Sequence, residues 1–333
     1  MSTYQPSFVI TPLILNQVIE VGELMGHWAA MAGRTSPLLR KENRIRTIQA
    51  SLAIEHNSLT TEQVTALMEG KRILAPAKDI QEVRNAILAY EKMSEWKSEK
   101  LSDLLQAHRV LMLGLVDNPG QLRTGNVGVY REKQLIHMAP PASQVFRLMN
   151  DLLGWLKTTE LHPLIAGAVF HYEFEFIHPF ADGNGRMGRL WQTLILREWR
   201  SELAWLPVET LIHYQQDRYY QVLGQCDRQS SCTPFIEFIL ENIISALQEG
   251  LGKSPALSEE MSEEMSEEMS PDLLDIEKRI LQILSNHPGR SAKSIADECE
   301  LSARTVERYL KALQLKGKLQ RVGATKGGMW RLL

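Results

Sequence analysis

IHPFADGNGRMGR, residues 177–189, places a histidine at the end of one apolar helical stretch, then a loop with one carboxylate and two glycines, then two arginines entering a helix that continues through LWQTLILREW. This is the layout of an anion site. Gly183 and Gly185 permit a backbone that turns its N–H groups toward a ligand, and the helix that follows adds the positive end of its dipole. Arg186 and Arg189 stand three residues apart on that helix, so the spacing predicts a shared face from which both fork onto phosphate oxygens. Asp182 is positioned to hold Mg²⁺ through one carboxylate, with phosphates and water completing the shell. His178 titrates near neutrality and can take a proton from an attacking hydroxyl. Together these groups describe nucleotidyl or phosphoryl transfer.

Outward from this loop the chain reads as mostly helical. Apolar residues recur at helical spacing in ILNQVIEVGELMGHWAAM, TEQVTALMEG, EVRNAILAYEKM and SEKLSDLLQAHRVLML, and helices are expected at about 142–157 and 164–177. GNVGVYREKQLIHMAPP, residues 125–141, breaks the habit with β-branched and aromatic residues, turn glycines and a closing Pro140-Pro141, which predicts a short hairpin. His171 and Glu175 fall on the helix face leading to His178, where they are read as satisfied polar residues that orient the loop. Tyr219 and Tyr220 are open between stacking on a base and packing in the core.

Past Gly250 the composition changes. SEEMSEEMSEEMS, residues 258–270, carries six glutamates and no basic residue, and reads as a solvated spacer. From Asp272 onward 12 Lys or Arg stand against 7 Asp or Glu, a local charge of +5. Three amphipathic segments are followed by LQRVGATKGGMWRLL, which alternates around a Gly-rich tip as a hairpin does. This part resembles a winged helix-turn-helix. Such a domain would present Ser302, Arg304, Thr305 and Arg308 to the major groove of duplex DNA and Lys326 to a phosphate.

HPFADGNGRMGR resembles the signature of the Fic family, HPFx[DE]GNGRxxR, at every constrained position, and the resemblance covers about residues 10–245. It implies a mainly α fold, a Fic-type helical core with a small β-hairpin flap, joined to the C-terminal winged helix domain. It implies a protein adenylyltransferase that moves AMP from ATP to a Ser, Thr or Tyr hydroxyl of a target protein or of itself. Carried over, His178 is the general base and Asp182 the Mg²⁺ ligand. Gly183, Asn184 and Gly185 cradle the inner phosphates, Arg186 and Arg189 hold the outer ones, Phe180 anchors the loop, and Tyr219 is assigned to the ATP site. ASLAIEHN, residues 50–57, resembles the inhibitory motif [ST]xxxE[GN] through Ser51 and Glu55, with His56 where Gly or Asn is usual. The resemblance pairs this glutamate with Arg189.

The expected organisation is therefore an N-terminal helical region with the inhibitory motif (1–100), a catalytic core (101–250), an acidic linker (251–271) and a winged helix-turn-helix (272–333). The flap is expected to pair with an extended target segment by strand addition, and a symmetric homodimer is the default assembly. Alternatives are a DNA-binding regulator with a nucleotide-sensing core, or an enzyme that removes AMP or moves another phosphate-containing group. At 333 residues, 44% hydrophobic and 23% charged, the chain is neither fibrous nor largely disordered. Three cysteines with no CxxC pair imply neither a disulfide framework nor a zinc ribbon and suit a reducing cytoplasm. No apolar run reaches the roughly 18 to 20 residues needed to span a bilayer.

Overall fold

The computed structural model describes residues 4–31, 37–131 and 134–251 and, beyond them, Leu281, 283–285, His287, 290–291, 294–296, Val306, Leu310, Leu313, 319–322 and 329–332. The chain divides into two compact units, Met1–Lys253 and Ser254–Leu333. The first contains α1 (Pro12–Met31), α2 (Pro37–Ala53), α3 (Thr61–Met68), α4 (Ala77–Lys92) and α5 (Leu101–Leu111). A hairpin of β1 (Gly128–Arg131) and β2 (Gln134–Met138) follows, then α6 (Ala142–Thr158), α7 (Pro163–Ile177), α8 (Asn184–Trp199), α9 (Val208–Tyr214), α10 (Gln216–Gln229) and α11 (Thr233–Gly250).

Two helices form the centre because their sequences leave them nowhere else to go. α7, PLIAGAVFHYEFEFI, opens with Pro163 where a helix N-terminus tolerates it, and His162 caps it by accepting from the Leu164 N–H at 3.3 Å. Phe170, Phe174 and Ile177 are buried along it. α8 packs against it, burying Met187, Leu190, Trp191 and Leu194, each worth about 1.5–3 kcal/mol where the side chain is a full-sized apolar one. Trp191 stacks on Trp96 at 6.4 Å between centroids and donates its indole N–H to the Ser98 carbonyl at 2.9 Å. Gly167 is the close-approach point of the pair, with the Ile195 methyl 3.6 Å from where a Cβ would stand.

The predicted hairpin is an antiparallel pair with Gly128 opposite Met138 and Arg131 opposite Gln134, and a register irregularity between Val129 and Tyr130. α1 lies along α11: Thr11 donates to Glu237 at 2.7 Å and Gln17 to the Glu237 carbonyl at 3.1 Å, while Gln248 donates to Glu20 at 3.2 Å. The two helices therefore run parallel. In the second unit β3 (Leu319–Val322) pairs antiparallel with β4 (Met329–Leu332), and Leu284, Ile295, Val306, Leu310, Leu313 and Trp330 form its core. Ser302, Arg304, Thr305, Arg308 and Lys326, and residues 252–271 of the expected linker, lie outside the described residues.

α2 ends in a turn closed by an unusual residue. The Asn57 N–H bonds the Leu52 carbonyl at 3.1 Å and the His56 N–H bonds the Ala53 carbonyl at 2.9 Å, a Schellman ending. His56 itself takes the left-handed conformation, φ 66°. Asn57 is instead buried: its amide donates to Glu82 at 2.8 Å and to the Asp79 carbonyl at 3.2 Å, and its Oδ1 accepts from the Leu59 N–H at 3.1 Å. With the asparagine committed to these contacts, the left-handed position falls to the exposed histidine. A non-glycine residue there costs about 1–2 kcal/mol, partly offset by the extra freedom glycine has when unfolded. His56→Gly should therefore raise stability by up to about 1 kcal/mol; a lower urea midpoint for this variant would contradict the assignment.

Candidate functional site

The loop between α7 and α8 is held at both ends by positive φ. His178 closes α7 in the left-handed region, φ 51°, with its N–H still bonded to the Phe174 carbonyl at 2.9 Å. Gly183 opens α8 at φ 84°, and a Cβ there would also strike the Met112 side chain. Between them Phe180 is fully buried, as expected of an anchor, and stacks on His108 with centroids 3.6 Å apart. Asn184 clamps the same residue from the other side, accepting from the Phe180 N–H and donating to its carbonyl, both at 2.9 Å. The side chain thus belongs to the loop's internal bonding, and its backbone N–H at the start of α8 is the group that would face an anion.

His108 buttresses the loop from α5. The Gly120 N–H donates to its Nδ1 at 2.8 Å, so the proton is on Nε2, which donates to the Asp182 carbonyl at 3.0 Å. Burial lowers its pKa to about 4, which keeps this tautomer neutral. Asp182 is half exposed; its Oδ1 accepts from the Gly183 N–H and from Arg186 at 3.2 Å. Among the described residues no cluster of three or more His, Cys, Asp or Glu could hold a metal. A divalent cation here would depend on Asp182 together with a ligand's own oxygens, which is how Mg²⁺ is commonly held.

The two arginines share a helix end but not a partner. Arg186 is buried and donates to Glu82 of α4 at 3.1 Å as well as to Asp182. Arg189 is 2% exposed and reaches α2 instead: Nε donates to the Ser51 hydroxyl at 3.0 Å, and Nη2 to the Ser51 carbonyl at 2.9 Å and to Glu55 at 2.8 Å. Burial alone would lower the Arg189 pKa; the Glu55 carboxylate, together with Tyr219 and Glu175, raises it on balance and holds the guanidinium charged. Glu55 also overhangs the α8 N-terminus, because a Cβ placed on Gly185 would run into its Oε1. The carboxylate thus occupies the position an anion would take over this helix end.

A cleft of about 160 Å³ is lined by Glu55, His178, Gly185 and Arg189 and by Tyr219 and Tyr220. Tyr219 packs in the core, 1% exposed and donating to His171 Nε2 at 3.1 Å, and it also lines the cleft. His171 is fully buried, bonded through Nδ1 to Gln192, and burial drops its pKa to about 3. It is a neutral support, as expected. Cys226 and Cys232 are buried free thiols with raised pKa values, caused by burial.

Three residues of the site went unread in the sequence. Glu82 and His108 each interrupt an apolar stripe, Glu82 beside Ala86 and Ala89, His108 beside Leu104 and Leu111, and a charge or imidazole on a buried face was the available signal. Arg123 lies in an aperiodic loop and gave none; it bonds the carbonyls of Ile177, His178 and Pro179.

A loop bearing a histidine thus leads into a helix N-terminus that carries two buried arginines. The Fic/DOC family profile matches residues 98–196, and a winged helix-turn-helix DNA-binding profile matches residues 273–320. A Fic family protein of known structure from Desulfovibrio desulfuricans G20 is 46% identical with a TM-score of 0.73, covering 99% of this chain and 98% of that one. The chain belongs to the Fic family. Proteins named protein adenylyltransferase Fic from Nematostella vectensis and Drosophila virilis are each 30% identical, over 60% and 70% of this chain. This chain spans about half the length of those relatives, 47% and 48%. Among the described residues no helix is long and apolar enough to cross a membrane.

Two buried histidines with depressed pKa values make stability depend on pH with a definite sign. Each is neutral when folded but titrates near 6.5 when unfolded, so the stability they contribute is present above pH 6.5 and is lost as pH falls toward 4. Stability should fall by about 1–3 kcal/mol per pH unit between pH 6 and 5, and His108→Gln should flatten this slope. Urea midpoints across that range provide the measurement; an unchanged slope in His108→Gln would mean that His108 is not kept neutral.

Proposed function

We propose that this protein is an adenylyltransferase that moves AMP from ATP to a Ser, Thr or Tyr hydroxyl of a protein, itself included, and that Glu55 holds it in check. The observation that supports this most directly is the single cleft lined by His178, Gly185, Arg189 and Glu55. In this reading the hydroxyl loses its proton to the His178 imidazole as its oxygen attacks the α-phosphorus, and the bond to the β-phosphate oxygen breaks with release of pyrophosphate. The N–H groups of Gly183, Asn184 and Gly185 receive the inner phosphates, which gain from a donor array fixed before the reaction. Arg186 and Arg189 hold the outer ones. Asp182 is the residue that would hold Mg²⁺, whose contribution when bound is to offset charge on the phosphate oxygens. Tyr219 and Tyr220 face the base.

Glu55 opposes this by competition. Its carboxylate lies on Arg189 and over the α8 N-terminus, so a nucleotide must displace it before the outer phosphate can reach the arginine. Without that clamp the α-phosphorus is not in line with the incoming hydroxyl.

The winged helix-turn-helix match supports a second role for the C-terminal unit, binding of duplex DNA, with Ser302, Arg304, Thr305 and Arg308 on the reading helix and Lys326 on phosphate.

Label incorporation from α-³²P ATP with Mg²⁺ tests the catalytic reading. Glu55→Gly should raise incorporation about 10- to 100-fold, the value of a charge-assisted bond of about 1.5–3 kcal/mol. Adding His178→Ala should reduce it by about 10²- to 10⁴-fold with nucleotide binding retained. Arg189→Ala should be inactive alone and in the double variant with Glu55→Gly, because both residues act through one contact. Equal incorporation by wild type and Glu55→Gly would remove the inhibitory role. For the C-terminal unit, full-length protein should shift a pool of duplexes at low salt and release it steeply as salt rises; no salt-dependent shift would leave a protein-contact role.

A further inference from the structure

We propose that Arg123 is a positioning residue that fixes the flap hairpin over His178. Arg123 is buried at 6% exposure, and among the described residues no carboxylate pairs with it. Its charge is satisfied by carbonyl oxygens instead. Nε donates to the His178 carbonyl at 2.7 Å, Nη2 to the Ile177 carbonyl at 3.2 Å, and its own backbone N–H to the Pro179 carbonyl at 2.9 Å. These three acceptors are consecutive, at the C-terminus of α7, where helical carbonyls lack partners and the dipole is negative. The same guanidinium reaches both roots of the hairpin: Nη1 donates to the Gly125 carbonyl at 2.8 Å, ahead of β1, and Nη2 to the Pro140 carbonyl at 2.6 Å, after β2.

One planar group therefore spans two structures that must agree. On one side is the left-handed turn at His178, φ 51°, which costs about 1–2 kcal/mol for a non-glycine residue and persists because its carbonyls are held. On the other is a two-stranded hairpin of the kind that is marginally stable alone. Asn126 adds a second tie at the root, accepting from the Ala142 N–H at 2.9 Å. A target segment laid along the flap would be brought to the imidazole by this fork, and its spacing would be set by Arg123. Lysine keeps the charge but lacks a rigid fork able to serve four carbonyls. The inference rests on the transferase reading above and extends it to the placement of the acceptor.

The test uses the full chain carrying Glu55→Gly, with self-modification from α-³²P ATP as the activity and α,β-methylene ATP as the binding probe. Arg123→Lys should lower the self-modification rate about 10- to 100-fold, the scale of a misplacement of about 1 Å, while binding of the analogue stays within about threefold. Arg123→Ala should regain transfer when methylguanidinium is added, which a general loss of fold would not allow. In nucleotide-free protein, amide exchange in Arg123→Lys should quicken about tenfold across 125–140 and 177–180 and nowhere else. Transfer at the parent rate, or loss of analogue binding in step with transfer, would overturn the proposal. If the Glu55→Gly parent incorporates no label, the enzymatic reading fails instead, and the exchange measurement still decides: unchanged or uniformly faster exchange would overturn the positioning role.

Discussion

A guanidinium with almost no contact with water organises this protein. Arg189 is buried on α8, and an arginine in a protein interior cannot shed its proton to escape the cost. The charge has to be met where it lies, and α2 meets it with the Ser51 hydroxyl, the Ser51 carbonyl and the Glu55 carboxylate. Docking of α2 is thus a condition of burying Arg189, over and above the apolar contacts of Ile48 and Leu52. Arg186 repeats the arrangement one turn earlier with Glu82, which also takes the Asn57 amide just beyond the end of α2. Two cations on one helix end are therefore tied to Glu82 on α4 and to Glu55 in the turn after α2, and Glu55 stands over the N-terminus of α8.

The loop between the central helices is rigid for a related reason. It buries Phe180 between His108 and the Asn184 clamp, and these neutral side chains satisfy the Phe180 backbone and the Asp182 carbonyl. Burial keeps His108 and His171 uncharged, so two imidazoles that a sequence alone would count as titrating near neutrality serve as fixed hydrogen-bonding struts. His178, by contrast, lines the open cleft.

The central helix–loop–helix was legible because its physical demands are local. Apolar density, paired glycines and arginines at helical spacing leave few other structures, and α7, α8 and the hairpin fall within a few residues of their predicted ranges. What was missed depends on contacts across 55 to 104 positions in sequence, such as Arg123 with His178 and Glu82 with Arg186. No periodicity reports such pairs. The ending of α2 is decided in the same way: the left-handed position falls to His56 because Glu82 and Asp79 hold Asn57.

The parallel pairing of α1 with α11 has a consequence for how the chain is made. Gln17 finds the Glu237 carbonyl 220 positions later, an interval of about 10–40 s at common synthesis rates. Ile14 and Val21, fully covered in the finished unit, have no α11 to cover them during that interval. The helices that line the cleft, α7, α8 and α10, are made between the two partners. The unit can close only after its last helix has left the ribosome, so a nascent chain halted before about residue 237 would display an unpaired apolar helix at its leading end, a ready ligand for a holding chaperone.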